Sequence, residues 1–319
     1  MRGQNAVNRL LALMLLSALS VLSDSDWAPG GLARADPLST ACPDPQPALW
    51  EVRNGSADTP YMYLFGSIHF GQASMYPLPH AIESAFERAR TLVVEVALDE
   101  LDGSAVTRAI QRFAVLPTNH SLKTEIPQSL WSRLSVKQES LPWRLADLSR
   151  YRPWFVATLL TSVAMNKLKL TEPYGVDRYF LQQARAKRVI ALETLDRQLE
   201  ALASLDTNDA ERLLGDALNA LEAGGGYLAD LVGAWCAGKA RTLHQLMHAQ
   251  LDASGLKDHV YEKLFTARNR TMAGRLAKLS PKDDGQPYFV VVGAGHMLGP
   301  SGIVNAMRSE GRNVRRASR

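Results

Sequence analysis

The chain has 319 residues, 46% of them hydrophobic and 21% charged, a composition with ample apolar material for a large buried core. The formal net charge is +4, and basic residues gather in the tail at Arg308, Arg312, Arg315, Arg316 and Arg319. With no basic stripe interleaved with aromatics, this argues against nucleic-acid binding. No heptad, Gln/Asn tract or internal repeat is present, which sets aside coiled coils and solenoids.

The N-terminus reads as an export signal. Arg2 and Arg9 precede an apolar run over 10–22, too short to span a bilayer comfortably, and Ala33-Arg34-Ala35 offers a small-x-small cleavage pattern before Asp36. Residues 1–35 are therefore expected to be a signal peptide, with a membrane anchor as the alternative. The rest is expected to be soluble and periplasmic or secreted, with a net charge of +3. Residues 36–47 form a Pro-rich leader expected to lack a core, and 48–319 a single α/β domain. Cys42 and Cys236 belong to no CxxC. In an oxidising compartment they either pair or remain two thiols.

Residues 48–53 read as a short edge strand and Asn54-Gly55 as a hairpin turn. Residues 61–66 read as a buried strand. Pro77 and Pro79 open a helix with its apolar stripe at Ile82, Ala85, Phe86 and Ala89. Residues 91–98 read as a second buried strand carrying Glu95. Helical spacing runs through 106–113, 129–139, 145–148, 151–168 and 175–187, ahead of a third short strand at 188–192. Helices are expected at 208–223, 227–251 and 256–279, then a fourth, strongly apolar strand at 288–293, a helix at 295–307 and a last strand near Val314. Apolar strands alternating with helices predict a mostly parallel central sheet flanked by helices, with a large helical insertion or cap.

In such sheets ligands bind beyond the carboxyl ends of the strands. The expected strands end in Gly66-Ser67-Ile68-His69, in Glu95, in Glu193, and in Gly293-Ala294-Gly295-His296. Two imidazoles and a carboxylate suit a divalent metal, and a second carboxylate suits a base on bound water. A single Gly-x-x-His is weak, since both histidines could simply bond to backbone in tight turns. Its repetition after two apolar strands is stronger. Gly66 and Gly293 are expected to let the chain turn sharply and approach a neighbour closely. His244 and His248 sit at zinc-ligand spacing, but position 245 is Gln, so no zincin base is present; they read as surface or cap histidines. The chain has no G-x-S-x-G elbow, P-loop or G-x-G-x-x-G.

Residues 63–96 (YLFGSIHFGQASMYPLPHAIESAFERARTLVVEV), 175–194 (GVDRYFLQQARAKRVIALET), Arg268-Asn269 and 291–314 (VVGAGHMLGPSGIVNAMRSEGRNV) together resemble the Tiki-related TraB/GumN family. The resemblance runs from about Trp50 to the C-terminus. It implies an α/β fold shared with erythromycin-esterase-like and haem-binding bacterial relatives. In Tiki relatives it implies a metal-dependent peptidase outside the membrane. The family's functional elements fall on His69, His296 and Glu95, and Asp177, Glu193, Arg268 and Asn269 match further motif positions.

The leading expectation is an exported metal-dependent hydrolase acting on a peptide or protein. His69, His296 and Glu95 would hold a divalent ion (Mn, Co or Zn), Glu95 or Glu193 would act on its water, and Arg268 would stabilise an oxyanion or bind a substrate carboxylate. The alternatives are a periplasmic haem- or metal-binding protein, and a non-catalytic accessory protein of surface polysaccharide or signalling. The membrane enters only through export, and oligomeric state is left open.

Overall fold

The computed structural model describes residues 42, 44–54, 59–97, 101–256, 258–280 and 285–318. The expected signal peptide, its cleavage site and Gly55 of the hairpin turn lie outside the described residues. Among the described residues, no helix is long and apolar enough to cross a membrane.

The elements in chain order begin with β1 (Leu49–Arg53), β2 (Met62–Ser67), α1 (His80–Arg88) and β3 (Thr91–Val94). The helices α2 (Gly103–Phe113), α3 (Leu122–Glu125), α4 (Gln128–Val136), α5 (Leu145–Leu148), α6 (Pro153–Lys167) and α7 (Val176–Gln183) follow. Next come β4 (Arg188–Ala191), α8 (Leu195–Ala203), α9 (Thr207–Glu222), α10 (Gly226–Cys236), α11 (Ala240–Ala253) and α12 (Asp258–Tyr261). A π-helical turn, Glu262–Thr266, joins α12 to α13 (Ala267–Ala277), and β5 (Tyr288–Gly293), α14 (Ala294–Met297), α15 (Ile303–Ser309) and β6 (Asn313–Arg316) close the chain.

One six-stranded sheet runs β4-β3-β5-β2-β1-β6. The β4-β3, β3-β5 and β5-β2 pairs are parallel, and β1 is antiparallel to both β2 and β6. The mostly parallel α/β sheet expected from the sequence is thus present. Strands β2 and β5 are buried at every position, as their unbroken apolar runs require. β1 is not an edge strand, since β6 adds outside it. Its half-buried side chains Glu51 and Arg53 pair with each other at 2.7 Å, which hid its interior position in the sequence.

A second core lies in the helical cap. Helix α6 is apolar over most of its circumference and is buried along most of its length. Trp154, Phe155, Val156, Leu159 and Leu160 are all buried, packed with Leu214, Ala217 and Leu218 of α9. The expected helix over 227–251 is two helices. Gly238 at φ +61° ends α10 in a left-handed cap, with Gly238 N–H and Lys239 N–H donating to Trp235 O and Ala234 O. The expected 295–307 helix is likewise broken, by Gly299 at φ +78° and Pro300.

The described residues of the leader are anchored rather than coreless. Cys42 is bonded to Cys236 across 194 residues of sequence, Gln46 N–H donates to Cys236 O at 2.6 Å, and Pro45 and Pro47 are buried.

Candidate functional site

Because β2, β3, β4 and β5 run the same way, the residues just past their ends share one edge of the sheet. These are His69, Glu95, Glu193 and His296, the set expected from the sequence. Glu95 lies one residue beyond β3 rather than inside the strand. His296 sits on the single turn α14, not on an open loop.

Of the two roles expected of the glycines, sharp turning and close approach, the structure shows the second. Neither Gly66 nor Gly293 has a positive φ, so neither makes a sharp turn. Both serve close approach. A Cβ on Gly66 would meet Ala294 Cα at 3.0 Å, so the glycine lets α14 sit on β2. A Cβ on Gly293 would stand 3.0 Å from Glu95 Oε1, 3.6 Å from His296 Cδ2 and 3.9 Å from His69 Nε2. The missing side chain therefore leaves a hollow bounded by all three groups.

The His69 loop is clasped by the segment preceding α7. Gly71 and Thr171 exchange backbone hydrogen bonds of 3.0 and 2.7 Å, and Val176 N–H donates to Ile68 O at 2.9 Å. That clasp brings Asp177 of α7 beneath the ring. Its Oδ2 lies 2.9 Å from His69 Nδ1, and its Oδ1 accepts from Ser67 Oγ at 2.6 Å. Burial opposes the Asp177 anion, but His69 and the hydrogen bonds outweigh it and hold the carboxyl below its usual range. The Asp177 charge in turn raises the His69 pKa to about 9, against the desolvation that lowers it. Without a metal the imidazole is protonated at neutral pH, with Nδ1 donating to Asp177 and Nε2 facing the hollow, and an ion held there would take the place of the Nε2 proton.

His296 is set up in the opposite way. It is buried, and desolvation lowers its pKa to about 4, so the ring is neutral. Asn269, fully buried on α13, donates through Nδ2 to Ser301 O at 3.0 Å, which turns its Oδ1 toward His296 Nδ1 at 2.6 Å. That oxygen can only accept, so the ring proton is on Nδ1 and Nε2 carries a free lone pair. An imidazole fixed through one nitrogen by a carboxylate or amide oxygen is the arrangement that supports metal-ligating histidines.

Glu95 is held by three donors: Gly293 N–H at 2.6 Å to Oε1, and Gln198 Nε2 at 2.8 Å and Arg268 Nη2 at 3.2 Å to Oε2. Burial works against its charge, but His296, Arg268 and His69 prevail and its pKa is lowered. A carboxylate has about four acceptor positions, which leaves one open, on Oε1. Glu193 is committed to Arg268, whose Nε lies 3.0 Å and Nη2 2.6 Å from its Oε2. Arg268 Nη1 donates to Leu264 O at 3.2 Å. The structure thus departs from the expected roles of these two residues. Glu193 is no free base and Arg268 no free oxyanion donor; together they brace Glu95. Of Glu95, Asp177 and Glu193, Glu95 is the one whose oxygen borders the Gly293 hollow.

Gln198, Ser67 and the buried Arg178–Glu172 pair (2.8 Å) were missed from the sequence. The available signal was positional. Gln198 lies one turn past Thr194, which caps α8 directly after β4, and Glu172 and Arg178 flank Asp177.

His244 and His248 lie on α11 of the cap. Their rings stand 4.3 Å apart, and His248, Tyr261, Phe265 and His296 continue at centroid spacings of 4.5, 5.0 and 5.2 Å. They are cap residues, as the sequence suggested, and this run of rings backs them onto the site. Among the described residues, the trio whose ligand atoms close to within 4.8 Å is Asp206, Asp209 and His259. Asp206 caps α9 through Asp209 N–H at 2.9 Å, and Asp209 Oδ2 lies 2.6 Å from His259 Nε2, so these atoms are already satisfied. His69, Glu95 and His296 are set wider than that trio, around the Gly293 hollow.

Two cavities meet at His69 and Glu95. A smaller one of about 340 Å³ includes Thr158, Glu172 and Asp177 in its wall, and a larger one of about 720 Å³ includes Arg268, Gly293 and His296 and extends among the cap helices.

Fold and site together define an α/β protein with two oriented histidines and a bracing carboxylate network at the carboxyl edge of its sheet. Residues 48–316 match the model of the TraB/PrgY/gumN family, and the chain belongs to that family. Metalloprotease TIKI2 of Danio rerio is 25% identical over 315 residues, covering 83% of this chain and 60% of that protein. The uncharacterized protein YbaP of Escherichia coli (strain K12) is 26% identical over 260 residues, 78% of this chain and 88% of that protein. An uncharacterized protein of Treponema pallidum (strain Nichols) is 23% identical, covering 82% of this chain and 80% of that one. The chain therefore spans about 60% of the length of the TIKI2 relative it matches. No solved structure matches it.

Proposed function

We propose that this chain is an exported, metal-dependent hydrolase that cleaves amide bonds in peptides or proteins. One observation carries the reading: two imidazoles, each fixed through Nδ1, border the Gly293 hollow together with the single open acceptor position of Glu95. Those three donors, one anionic and two imidazole, suit Mn, Co or Zn. The printed names of the TIKI relatives, metalloproteases, point the same way.

His69, Glu95 and His296 would hold the ion. When bound, a divalent ion supplies Lewis acidity and lowers the pKa of a bound water. Gln198 and Arg268 orient Glu95, Glu193 keeps Arg268 in place, and Asp177 and Asn269 aim the two rings. The burial of Glu95, Glu193 and His296 limits bulk water at the centre. Hydrolysis adds water across the C–N bond, leaving a carboxylic acid and an amine. The Cys42–Cys236 disulfide supports a periplasmic or secreted location.

The test is a peptide-library digest by the metal-stripped protein with Mn, Co or Zn added back, read by mass spectrometry. Metal-dependent cleavage abolished in His296→Ala supports the reading, and no cleavage with any of the three ions overturns it. A second reading, haem binding, is favoured by the apolar 720 Å³ cavity beside His296. A Soret band after mixing with haemin would favour it over the hydrolase.

A further inference from the structure

We infer that the larger cavity is the binding chamber for a long acyl or alkyl chain, so that the substrate of the proposed hydrolase is a molecule bearing such a chain next to its scissile amide. The inference rests on the hydrolase reading for the amide, but the chamber's preference for a chain is argued from its walls alone.

The chamber holds about 720 Å³, within the range of roughly 300–1,000 Å³ usual for ligand pockets and far more than one amino-acid side chain fills. Away from the His69 and Gly293 segments, its walls come mainly from α6, α8, α9, α10, α11 and the π-helical turn, with Leu213, Tyr227, Leu231, Met247, Leu251 and Phe265 among them. A wall built of helices has its backbone N–H and C=O groups tied within each helix, so an extended peptide inside would find few partners for its own backbone. A burial of that kind costs free energy for every unmatched amide. Three of the polar side chains that reach the lining have partners. Asn219 Oδ1 accepts from Arg133 Nη2 at 2.7 Å, Asp216 binds Ser254 Oγ, and Gln250 Nε2 donates to Ser254 Oγ at 3.3 Å. Most of the remaining lining is apolar, which suits a hydrocarbon chain because each CH₂ buried leaves water.

Continuity with the site fixes which end of the ligand reacts. His69, Glu95, Arg268 and His296 belong to the wall of this chamber, and His69 and Glu95 also to that of the smaller cavity. An apolar arm in the larger chamber therefore leaves the adjoining polar group over the Gly293 hollow and the remainder of the molecule in the smaller cavity, beside Thr158, Glu172 and Asp177.

Two measurements on the chain from residue 36 onward test this. In the first, a fluorescent long-chain fatty acid is titrated into the metal-free protein and displaced with palmitic or butyric acid. Saturable binding, displaced by palmitic but not butyric acid and weakened about tenfold or more in Ala220→Trp, is expected. Ala220 lies on the chamber wall away from the proposed ligands. Leu231→Gln serves as a second variant should Ala220→Trp fail to fold. In the second, the metal-loaded protein is given one peptide with and without an N-terminal palmitoyl group, and the acylated form should show the lower KM. Chain binding without any hydrolysis upholds the chamber and overturns the hydrolase. Hydrolysis with no chain binding and no preference for the acylated peptide overturns the chamber and leaves the hydrolase standing. A haemin complex that excludes the fatty acid, in a protein that cleaves neither peptide, overturns both.

Discussion

Asn269 presents its amide oxygen to His296 Nδ1 at 2.6 Å while its Nδ2 donates to Ser301 O at 3.0 Å, and this pair of bonds dictates which nitrogen of His296 is bare. Replacing Asn269 by Asp should raise the His296 pKa from about 4, because a buried anion would then face the ring. Nitrogen-15 NMR titration of the imidazole checks this. An unchanged pKa would mean that Asn269 does not set the tautomer. Asn269→Ala should cost about 1–3 kcal/mol, since it strands a buried ring N–H.

Asp177 orients His69 as Asn269 orients His296. Asp177→Asn should reduce affinity for Mn, Co or Zn by about 10–100-fold while the fold persists, as expected for a partner that aims a ligand. Isothermal titration of the metal-stripped protein measures it. Equal affinity in wild type and variant would remove His69 from the ligand set.

Glu95→Gln should lower turnover of any substrate by about 10²-fold or more, because it removes the charge of the carboxylate that borders the hollow. Glu193→Gln should act more weakly and chiefly through Arg268, so its loss should appear in stability as well as in rate. If both variants lose activity equally with unchanged melting temperature, the distinction drawn between the two glutamates is wrong.

The sheet and the location of the site were legible in the sequence because both rest on local pattern. The continuous apolar runs ending in Gly293 and near Gly66 are strands, and parallel strands place their ends together. The couplings across the site were not legible. Gln198 meets Glu95 across 103 residues and Arg268 meets Glu193 across 75, distances at which spacing carries no information. The break at Gly238 was misread because residues 227–251 are rich in helix formers on both sides of it. The place of β1 inside the sheet depends on β6, a short strand of Asn, Val and Arg whose pattern is weak.

The disulfide yields a separate prediction. Thiol counting on denatured, unreduced protein should find no free thiol, since Cys42 and Cys236 are bonded. A loop of this length corresponds to roughly 5 kcal/mol in the chain-entropy model, so Cys42→Ser should lower stability by up to about that amount. Two free thiols would also weaken the argument for an oxidising compartment.

The two site histidines give the metal-free protein opposite pH limbs. His296 has a folded pKa of about 4, below its ordinary 6.5, so its contribution is present above 6.5 and is lost as pH falls through about 4. Burial of the ring makes this limb worth on the order of 3 kcal/mol. Glu95 and Asp177, both lowered, add to the loss in acid. Glu172, raised by burial, acts in the opposite sense as pH rises through its own range. His69 has a folded pKa of about 9, above 6.5, so its contribution is complete below 6.5 and is lost as pH rises through about 9. Its side chain is 54% exposed, and solvent screening makes this limb the shallower one. The melting temperature in the presence of a chelator should therefore peak near pH 6.5. Asp177→Asn removes the charge that holds the His69 proton, so the alkaline limb should flatten while the His296 limb survives. A melting curve in which Asp177→Asn leaves the alkaline limb intact would show that the His69–Asp177 pair is not its source.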